Sequence, residues 1–166
     1  YERMIFAAVV TAAVVLGIRE LNKAFTAVDI HMPLWSLTSA AIGLSGATWF
    51  GGISGLAVAT AIALPCLLVL LLPRGFENFV KTASASALAL IYLPFLAVFL
   101  ILLARPHNGL ARVMTFVVLV GCNDTFAYLT GVLFGKHPLA PKISPKKTIE
   151  GLLGSLVFTV LGGALA

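Results

Sequence analysis

Six long apolar runs divide this sequence and leave little room for any other organisation. They cover residues 4–18, 34–50, 52–72, 80–104, 110–134 and 150–166. A helix that crosses a bilayer needs about 20 apolar residues, with about 17 to 25 tolerated. The chain is 60% hydrophobic and only 10% charged, whereas a soluble domain carries roughly 25% charged residues. The pattern predicts an all-α, polytopic transmembrane helix bundle with about six spanning helices.

The connection between the second and third runs is unusually short. Only Phe50, Gly51 and Gly52 mark it. The chain must therefore reverse there in a tight hairpin that uses the conformational freedom of glycine.

Both ends of the sequence are abrupt. It starts at Tyr1 without an initiator methionine and stops at Ala166 inside an apolar run. We therefore expect residues 1–166 to form a single transmembrane domain that is truncated at its C-terminus, with the N-terminus a second place where residues could be missing.

The basic residues are distributed unevenly over the predicted loops. If the runs alternate in direction, one face carries Arg3, Arg105 and Arg112, and the other carries Arg19, Lys23, Arg74, Lys81, Lys136, Lys142, Lys146 and Lys147. Loops rich in Lys and Arg stay in the cytoplasm. This predicts a multi-pass protein of the inner cell membrane with a cytoplasmic loop at residues 135–149. The net charge of +5 then reflects topology and the anionic headgroups of the bilayer, and we expect no nucleic acid partner.

One acidic residue, Asp124, lies within an apolar run, whereas the others flank the runs. Its depth from the predicted cytoplasmic end of the helix is about 15 Å. A carboxylate there costs about 2.5 kcal/mol or more unless it faces water, a cation or a protein partner. Asp124, Tyr128, Gly131 and Gly135 share one helix face, which could line a cleft with Asn123 beside it. The alternative is that Asp124 only hydrogen-bonds a neighbouring helix.

The loop after this helix concentrates cations and hydroxyl groups. Ser144 and Pro145 match the N-cap and first position of a helix, which predicts Lys146 and Lys147 in the first helical turn. Cations there oppose the helix dipole, and an anion bound by the backbone N–H groups and both lysines would remove the conflict. The simpler alternative is that the lysines only anchor the loop at the membrane surface. A phosphate site is favoured by the spacing of Lys142, Ser144, Lys146, Lys147, Thr148 and Glu150.

These segments resemble the central part of the phosphatidate cytidylyltransferases, also called CDP-diacylglycerol synthases. The similarity rests on NDTFAY at 123–128, GVLFGKH at 131–137 and, most specifically, PKISPKKTIEG at 141–151. The resemblance implies an integral-membrane nucleotidyltransferase of phospholipid biosynthesis that makes CDP-diacylglycerol and pyrophosphate from CTP and phosphatidic acid and requires Mg²⁺. It also implies a second, acidic signature that supplies the main metal ligands. We expect that signature beyond Ala166, so residues 1–166 alone should be inactive.

The chemistry of such a reaction assigns roles to the helix and the loop. A phosphatidate oxygen is already anionic, so its attack on the α-phosphorus of CTP depends on charge neutralisation and alignment more than on a general base. We predict Lys146 and Lys147 as catalytic residues. The residues predicted to bind the phosphates of CTP or phosphatidate are Asn123, Lys142, Ser144, Lys147 and Thr148. Asp124 is the candidate metal ligand, and Glu150 either approaches the metal or orients a lysine.

Two other classes of function stay open at this point. A CTP-dependent lipid kinase of the polyprenol or phytol type would bring the same nucleotide to a membrane lipid but transfer its γ-phosphoryl group. A transporter or channel subunit would use Asp124 as an ion site and the lysines only as lipid contacts. Homo-oligomerisation is compatible with each of these functions.

Overall fold

The computed structural model describes residues 2–72, 79–141 and 144–165. Its helices are α1 (Glu2–Thr26), α2 (Leu34–Leu71), α3 (Phe79–Leu90), α4 (Leu96–Ala104), α5 (Gly109–Phe134) and α6 (Ile149–Leu165). A π-helical stretch around Pro94, Ile91–Phe95, joins α3 to α4. Two short strands, β1 (Pro138–Ala140) and β2 (Ser144–Thr148), lie between α5 and α6. The predicted all-α membrane fold is confirmed, and the short strand pair is an addition to the predicted elements.

Four helical stretches of the described chain are long and apolar enough to cross a membrane: Glu2–Thr26, Leu34–Leu71, Phe79–Ala104 and Gly109–Phe134. A shorter apolar helix covers Ile149–Ala164. The predicted runs at 34–50 and 52–72 both fall within α2, which Gly52 interrupts with φ 62° and ψ −141°. Each half of α2 is about 27 Å long, close to the thickness of the hydrocarbon core of a bilayer. With these halves counted separately, the helical segments match the predicted runs.

The chain reverses direction at Gly52, as the short connection predicts. Residues from both halves of α2, such as Gly43 and Ala59, line one narrow groove. A side chain at Gly55 would collide with the carbonyl of Ala47, which shows how closely the two halves approach after the turn. The positive φ of Gly52 is a backbone conformation that side chains disfavour.

The chain divides into two compact units, Tyr1–Gly109 and Leu110–Ala166, and each is described by itself. In the first unit, α1 contributes Val10, Val14 and Ile18 to the core, one residue per turn. The rest of that core comes from α2, α3 and α4 and from Met32 in the connection before α2. A continuous apolar stripe on α1 thus packs against the other helices of the first unit.

Two arginine side chains donate hydrogen bonds to backbone carbonyls at one end of the first unit. Arg105 Nη2 donates to the Phe50 carbonyl at 3.1 Å, next to the turn at Gly52, and Arg3 Nη2 donates to the His107 carbonyl at 2.9 Å. The last carbonyls of a helix lack partners within that helix, and Arg105 supplies one. The start of α1, the turn in α2 and the end of α4 therefore lie at the same end, as alternating helices require.

In the second unit, α5 and α6 pack antiparallel. Phe126 stacks on Phe158 with ring centroids 3.9 Å apart. One turn to either side, Cys122 and Thr130 lie against glycines of α6. Contacts at four-residue steps come from one face of α5. Asp124 is two residues from both Cys122 and Phe126 and therefore lies on a different face of the helix.

Gly52→Ala is expected to destabilise the first unit by about 1–3 kcal/mol, because its backbone conformation is essentially restricted to glycine. The added Cβ would also collide with the Arg105 guanidinium. Thermal unfolding in detergent micelles measures the loss. Gly51→Ala is the matched control, since nothing lies near that position, and equal melting temperatures for the two variants would contradict the hairpin turn.

Candidate active site

Residues 144–148 form a strand and not the start of a helix. β2 pairs antiparallel with β1, with Pro138 opposite Thr148 and Ala140 opposite Ser144. The prediction that Ser144 caps a helix whose first turn contains Lys146 and Lys147 is therefore wrong. The helix N-terminus therefore does not lie where the anion was predicted to bind, and phosphate binding by Ser144, Lys146 and Lys147 stays a prediction.

Thr148, four residues further on, caps the helix instead. The Gly151 N–H donates to Thr148 Oγ1 at 3.1 Å, which is the bond that an N-cap residue makes with the third helical residue. A residue before proline is biased toward extended backbone, and both an N-cap and a strand residue satisfy this bias. The Ser144-Pro145 pair is thus compatible with either structure, and pairing with β1 selects the strand.

The strand pair is irregular, and the irregularity lets consecutive lysines face the same space. One residue separates the paired positions on β1, whereas three separate them on β2. In a regular strand, neighbouring side chains point to opposite faces, but extra residues in one strand re-aim them. Lys146 and Lys147 both line the cavity beside the strands.

This cavity has a volume of about 850 Å³ and is bounded by α5, the strand pair and the first turns of α6. Its polar wall consists of Asn123, Asp124, Tyr128, Ser144, Lys146, Lys147, Thr148 and Ser155. Its apolar wall includes Ala127, Val132, Leu139 and Leu152. Cations, hydroxyl groups and one carboxylate therefore surround a space that also offers apolar surface.

Glycine residues let α5 and α6 approach closely enough to bring these groups together. A side chain at Gly151 would collide with the Ala127 carbonyl, and one at Gly131 would press against Thr148. The Thr130 hydroxyl donates to the Phe126 carbonyl of its own helix and lies 3.4 Å from the Gly151 carbonyl across the helix pair. Small residues at a helix crossing permit close backbone contact. Because β2 leads directly into α6, this contact also holds the strand against α5.

The face of α5 that was predicted to line a cleft does so at Asp124, Tyr128 and Gly131, with Asn123 beside them. Gly135 lies instead at the turn that follows α5. The Asp124 side chain is exposed, and Tyr128 is 70% exposed. Both groups are accessible from the cavity.

Glu150 lies at the loop end of α6, outside the four spanning stretches, and its carboxylate is held by His137. Oε1 lies 2.7 Å from His137 Nδ1, and Oε2 accepts the backbone N–H of His137 at 3.2 Å. The hydrogen bond with the His137 side chain, assisted by backbone N–H groups, lowers the pKa of Glu150 from 4.5 to about 2. The predicted roles of this carboxylate, approach to a metal or orientation of a lysine, stay predictions. In the structure both of its oxygens contact His137.

Lys142 lies outside the described residues, so its contact with phosphate stays a prediction. No local pattern singles out His137 or Ser155, because pairing between distant residues brings them to the site. Pro141 is the local signal of the strand pair. Proline favours turns, and two antiparallel strands need a turn between them.

The cavity lining contains oxygen atoms that could bind Mg²⁺, and Asp124 is the carboxylate among them. Mg²⁺ keeps several waters and is usually bound by one or two carboxylates together with substrate phosphates. Asp124 provides a carboxylate, and Asn123 and Ser144 add neutral oxygens. Within the described ranges there is no group of three His, Cys, Asp or Glu side chains that could hold a metal ion. The residues present fit a Mg²⁺ ion that arrives with phosphate and water ligands.

Comparison with known proteins places the whole chain in one family. Residues 1–166 match the family model described as the Cytidylyltransferase family. The chain belongs to the cytidylyltransferase family. This confirms the resemblance that the segments between residues 123 and 151 indicate.

Individual relatives in the cytidylyltransferase family are named phosphatidate cytidylyltransferase. The Mycobacterium bovis protein is 29% identical over 169 residues, covering 92% of this chain and 54% of the relative. The Mycobacterium leprae protein is 45% identical over 81 residues, or 49% of this chain and 26% of the relative. The Aquifex aeolicus protein is 35% identical over 108 residues, or 64% of this chain and 41% of the relative.

The chain spans about half or less of the length of these relatives. No solved structure matches it. Neither a lipid kinase nor a transporter subunit is favoured by these comparisons.

Gly151→Ala is expected to destabilise the second unit by about 1–3 kcal/mol, because the new Cβ would meet the Ala127 carbonyl and force α5 and α6 apart. Turnover by the full-length protein should fall with it, since the separation also moves the strand pair. Gly121→Ala on α5 is the control, because the space around Gly121 is open. Thermal unfolding and activity assays test both variants, and a Gly151→Ala protein that behaves like the control would contradict the close crossing.

Proposed function

We propose that this chain forms the nucleotide and lipid-phosphate site of a membrane-embedded phosphatidate cytidylyltransferase, which makes CDP-diacylglycerol and pyrophosphate from CTP and phosphatidic acid. The observation that carries the proposal is that Ser144, Lys146, Lys147 and Asp124 surround one cavity. Membership of the cytidylyltransferase family and the names of its relatives support it.

The reaction joins two anions, so neutralising charge is its main requirement. A phosphate oxygen of phosphatidate attacks the α-phosphorus of CTP. A new phosphorus–oxygen bond forms, the bond from the α-phosphorus to the oxygen that bridges to the β-phosphorus breaks, and pyrophosphate leaves with the electron pair. The nucleophile is already an anion, which means that no side chain has to remove a proton from it.

Lys146 and Lys147 supply positive charge that both substrates lack. As ammonium groups on flexible stems they act as point charges toward phosphate oxygens. Electrostatic stabilisation by groups already in place is commonly the largest contribution to catalysis of group transfer. The hydroxyl groups of Ser144 and Thr148 can donate to phosphate oxygens, because Thr148 Oγ1 uses only its acceptor capacity to cap α6.

The apolar wall suits the lipid substrate. Val132, Leu139 and Leu152 adjoin the polar groups, so the glycerol backbone and the first acyl carbons of phosphatidate can remain in apolar surroundings while its phosphate meets the lysines. This accounts for a nucleotide-using enzyme that is embedded in a membrane.

Mg²⁺ and the orientation in the membrane are part of the same proposal. When bound, Mg²⁺ would neutralise phosphate charge, and Asp124 would hold it, with Asn123 and water completing the oxygen ligands.

We place the strand pair on the cytoplasmic face of the inner membrane, where CTP is available. The excess of basic residues in the loops that we assign to this face supports that orientation.

Lys147→Ala and Asp124→Asn are each expected to lower kcat/KM by at least about 100-fold, the order of loss when one group that stabilises a transition state is removed. Membrane insertion should be unchanged. Lys81→Ala is the control, since Lys81 is an exposed lysine of the first unit and lies outside the cavity. Wild-type activity in both cavity variants would remove the site assignment.

The reaction type is tested by product analysis with full-length protein, phosphatidic acid, Mg²⁺ and CTP labelled in the cytosine ring. Label recovered in a chloroform-soluble lipid is the expected result, because cytidylyl transfer leaves the base on the lipid. Label confined to CDP would indicate γ-phosphoryl transfer and would overturn the proposal.

A further inference from the structure

Three hydrogen bonds close the base of the strand pair. His137 Nδ1 lies 2.7 Å from Glu150 Oε1, and the His137 N–H donates to Glu150 Oε2 at 3.2 Å. In the opposite direction, the Ile149 N–H donates to the His137 carbonyl at 2.9 Å. Together they join the residue before β1 to the first two residues of α6.

The strand pair depends on such support from outside. Two-stranded pairs are marginally stable at best by themselves. The last pairing before the base places Pro138 opposite Thr148, and proline has no N–H to donate. The extra residues in β2 further disturb the ladder. The bonds of His137 therefore stabilise the strands where their own pairing is weakest.

The side chains of Glu150 and His137 differ in exposure, and the carboxylate is the more buried of the two. The Glu150 side chain is 24% exposed, whereas the His137 side chain is 74% exposed. An exposed ion pair alone contributes little to stability. Here the carboxylate also accepts a backbone N–H, and a backbone bond runs alongside, so the three bonds act on the same short segment.

We propose that His137 and Glu150 are positioning residues: they latch the strand pair to α6 and thereby hold Lys146 and Lys147 at the cavity, without touching substrate or metal themselves. The effect of the latch on catalysis rests on the proposed function. The hydrogen bonds that form the latch are observed in the second unit.

The latch requires hydrogen bonds at Glu150 but not its negative charge. Glutamine can reproduce both bonds, because its oxygen accepts the His137 N–H and its amide donates to Nδ1 of the other imidazole tautomer. A metal ligand or a partner of a lysine would need the carboxylate charge. Glu150→Gln and Glu150→Ala therefore separate the latch from these other roles.

Steady-state kinetics of the full-length protein provide the first test. Glu150→Ala should raise the KM for CTP at least about tenfold, because displaced lysines lose alignment with the phosphates, whereas Glu150→Gln should stay within about threefold of wild type. His137→Ala should be intermediate, since its backbone bonds survive. The double variant His137→Ala with Glu150→Ala should be no worse than Glu150→Ala alone, because coupled residues are not additive. Equal damage from Glu150→Gln and Glu150→Ala would overturn the latch.

Limited trypsin digestion provides a second test that needs no turnover. Opening of the strand pair exposes the bonds after Lys146 and Lys147, so Glu150→Ala and His137→Ala should be cut there several-fold faster than wild type, and Glu150→Gln at the wild-type rate. Glu20→Ala is the control, since it removes an exposed Glu20–Lys23 ion pair of 2.7 Å in the first unit. Unchanged cleavage in His137→Ala and Glu150→Ala would refute the latch whatever reaction the enzyme catalyses. A different reaction product would refute only the proposed function.

Discussion

The close contact between α5 and α6 is the interaction on which the rest of the site depends. At its centre the Gly151 backbone lies against the Ala127 carbonyl, with no room for a side chain. Within a bilayer the helices gain little from hydrophobic association, and packing between small residues brings them together. Since β2 runs directly into α6, the same contact places the lysines of the strand beside the carboxylate of α5. A glycine pattern that looks like ordinary helix packing in this way also determines which side chains line the cavity.

The electrostatics of the cavity follow from that placement. A carboxylate on an apolar helix is unfavourable unless water or charge accompanies it, and the cavity beside Asp124 is lined by Lys146 and Lys147. Three nearby carboxylate, amide and hydroxyl groups suit a hydrated cation, while the lysines suit phosphate. The lysine charge is thus held on β2, whereas the carboxylate of the cavity is held on α5. A ligand that carries both a metal ion and several phosphates would bridge them.

Local patterns predicted much of this fold, and contacts between distant residues account for what was missed. The apolar runs and the glycines at 51 and 52 lead directly to the helices and to the reversal in α2, because both depend on neighbouring residues. The face of α5 that carries Asp124 follows equally from helical spacing. The Ser144-Pro145 pair was ambiguous, since extended backbone precedes proline in a strand and in a cap alike. Pairing with β1 makes residues 144–148 a strand. No local pattern predicts the contact between His137 and Glu150, which are 13 residues apart.

We infer that the strand pair and α5 form the walls of one ligand cavity. Single cysteines introduced by Tyr128→Cys on α5 and Ser144→Cys on β2, after replacement of Cys66 and Cys122, can be alkylated with and without CTP and Mg²⁺. Leu133→Cys is the control, because Leu133 is exposed on α5 but does not line the cavity. We expect the nucleotide to slow alkylation at positions 128 and 144 together over the same concentration range, with no change at 133. Protection of position 144 alone, or of neither position, would contradict a shared site.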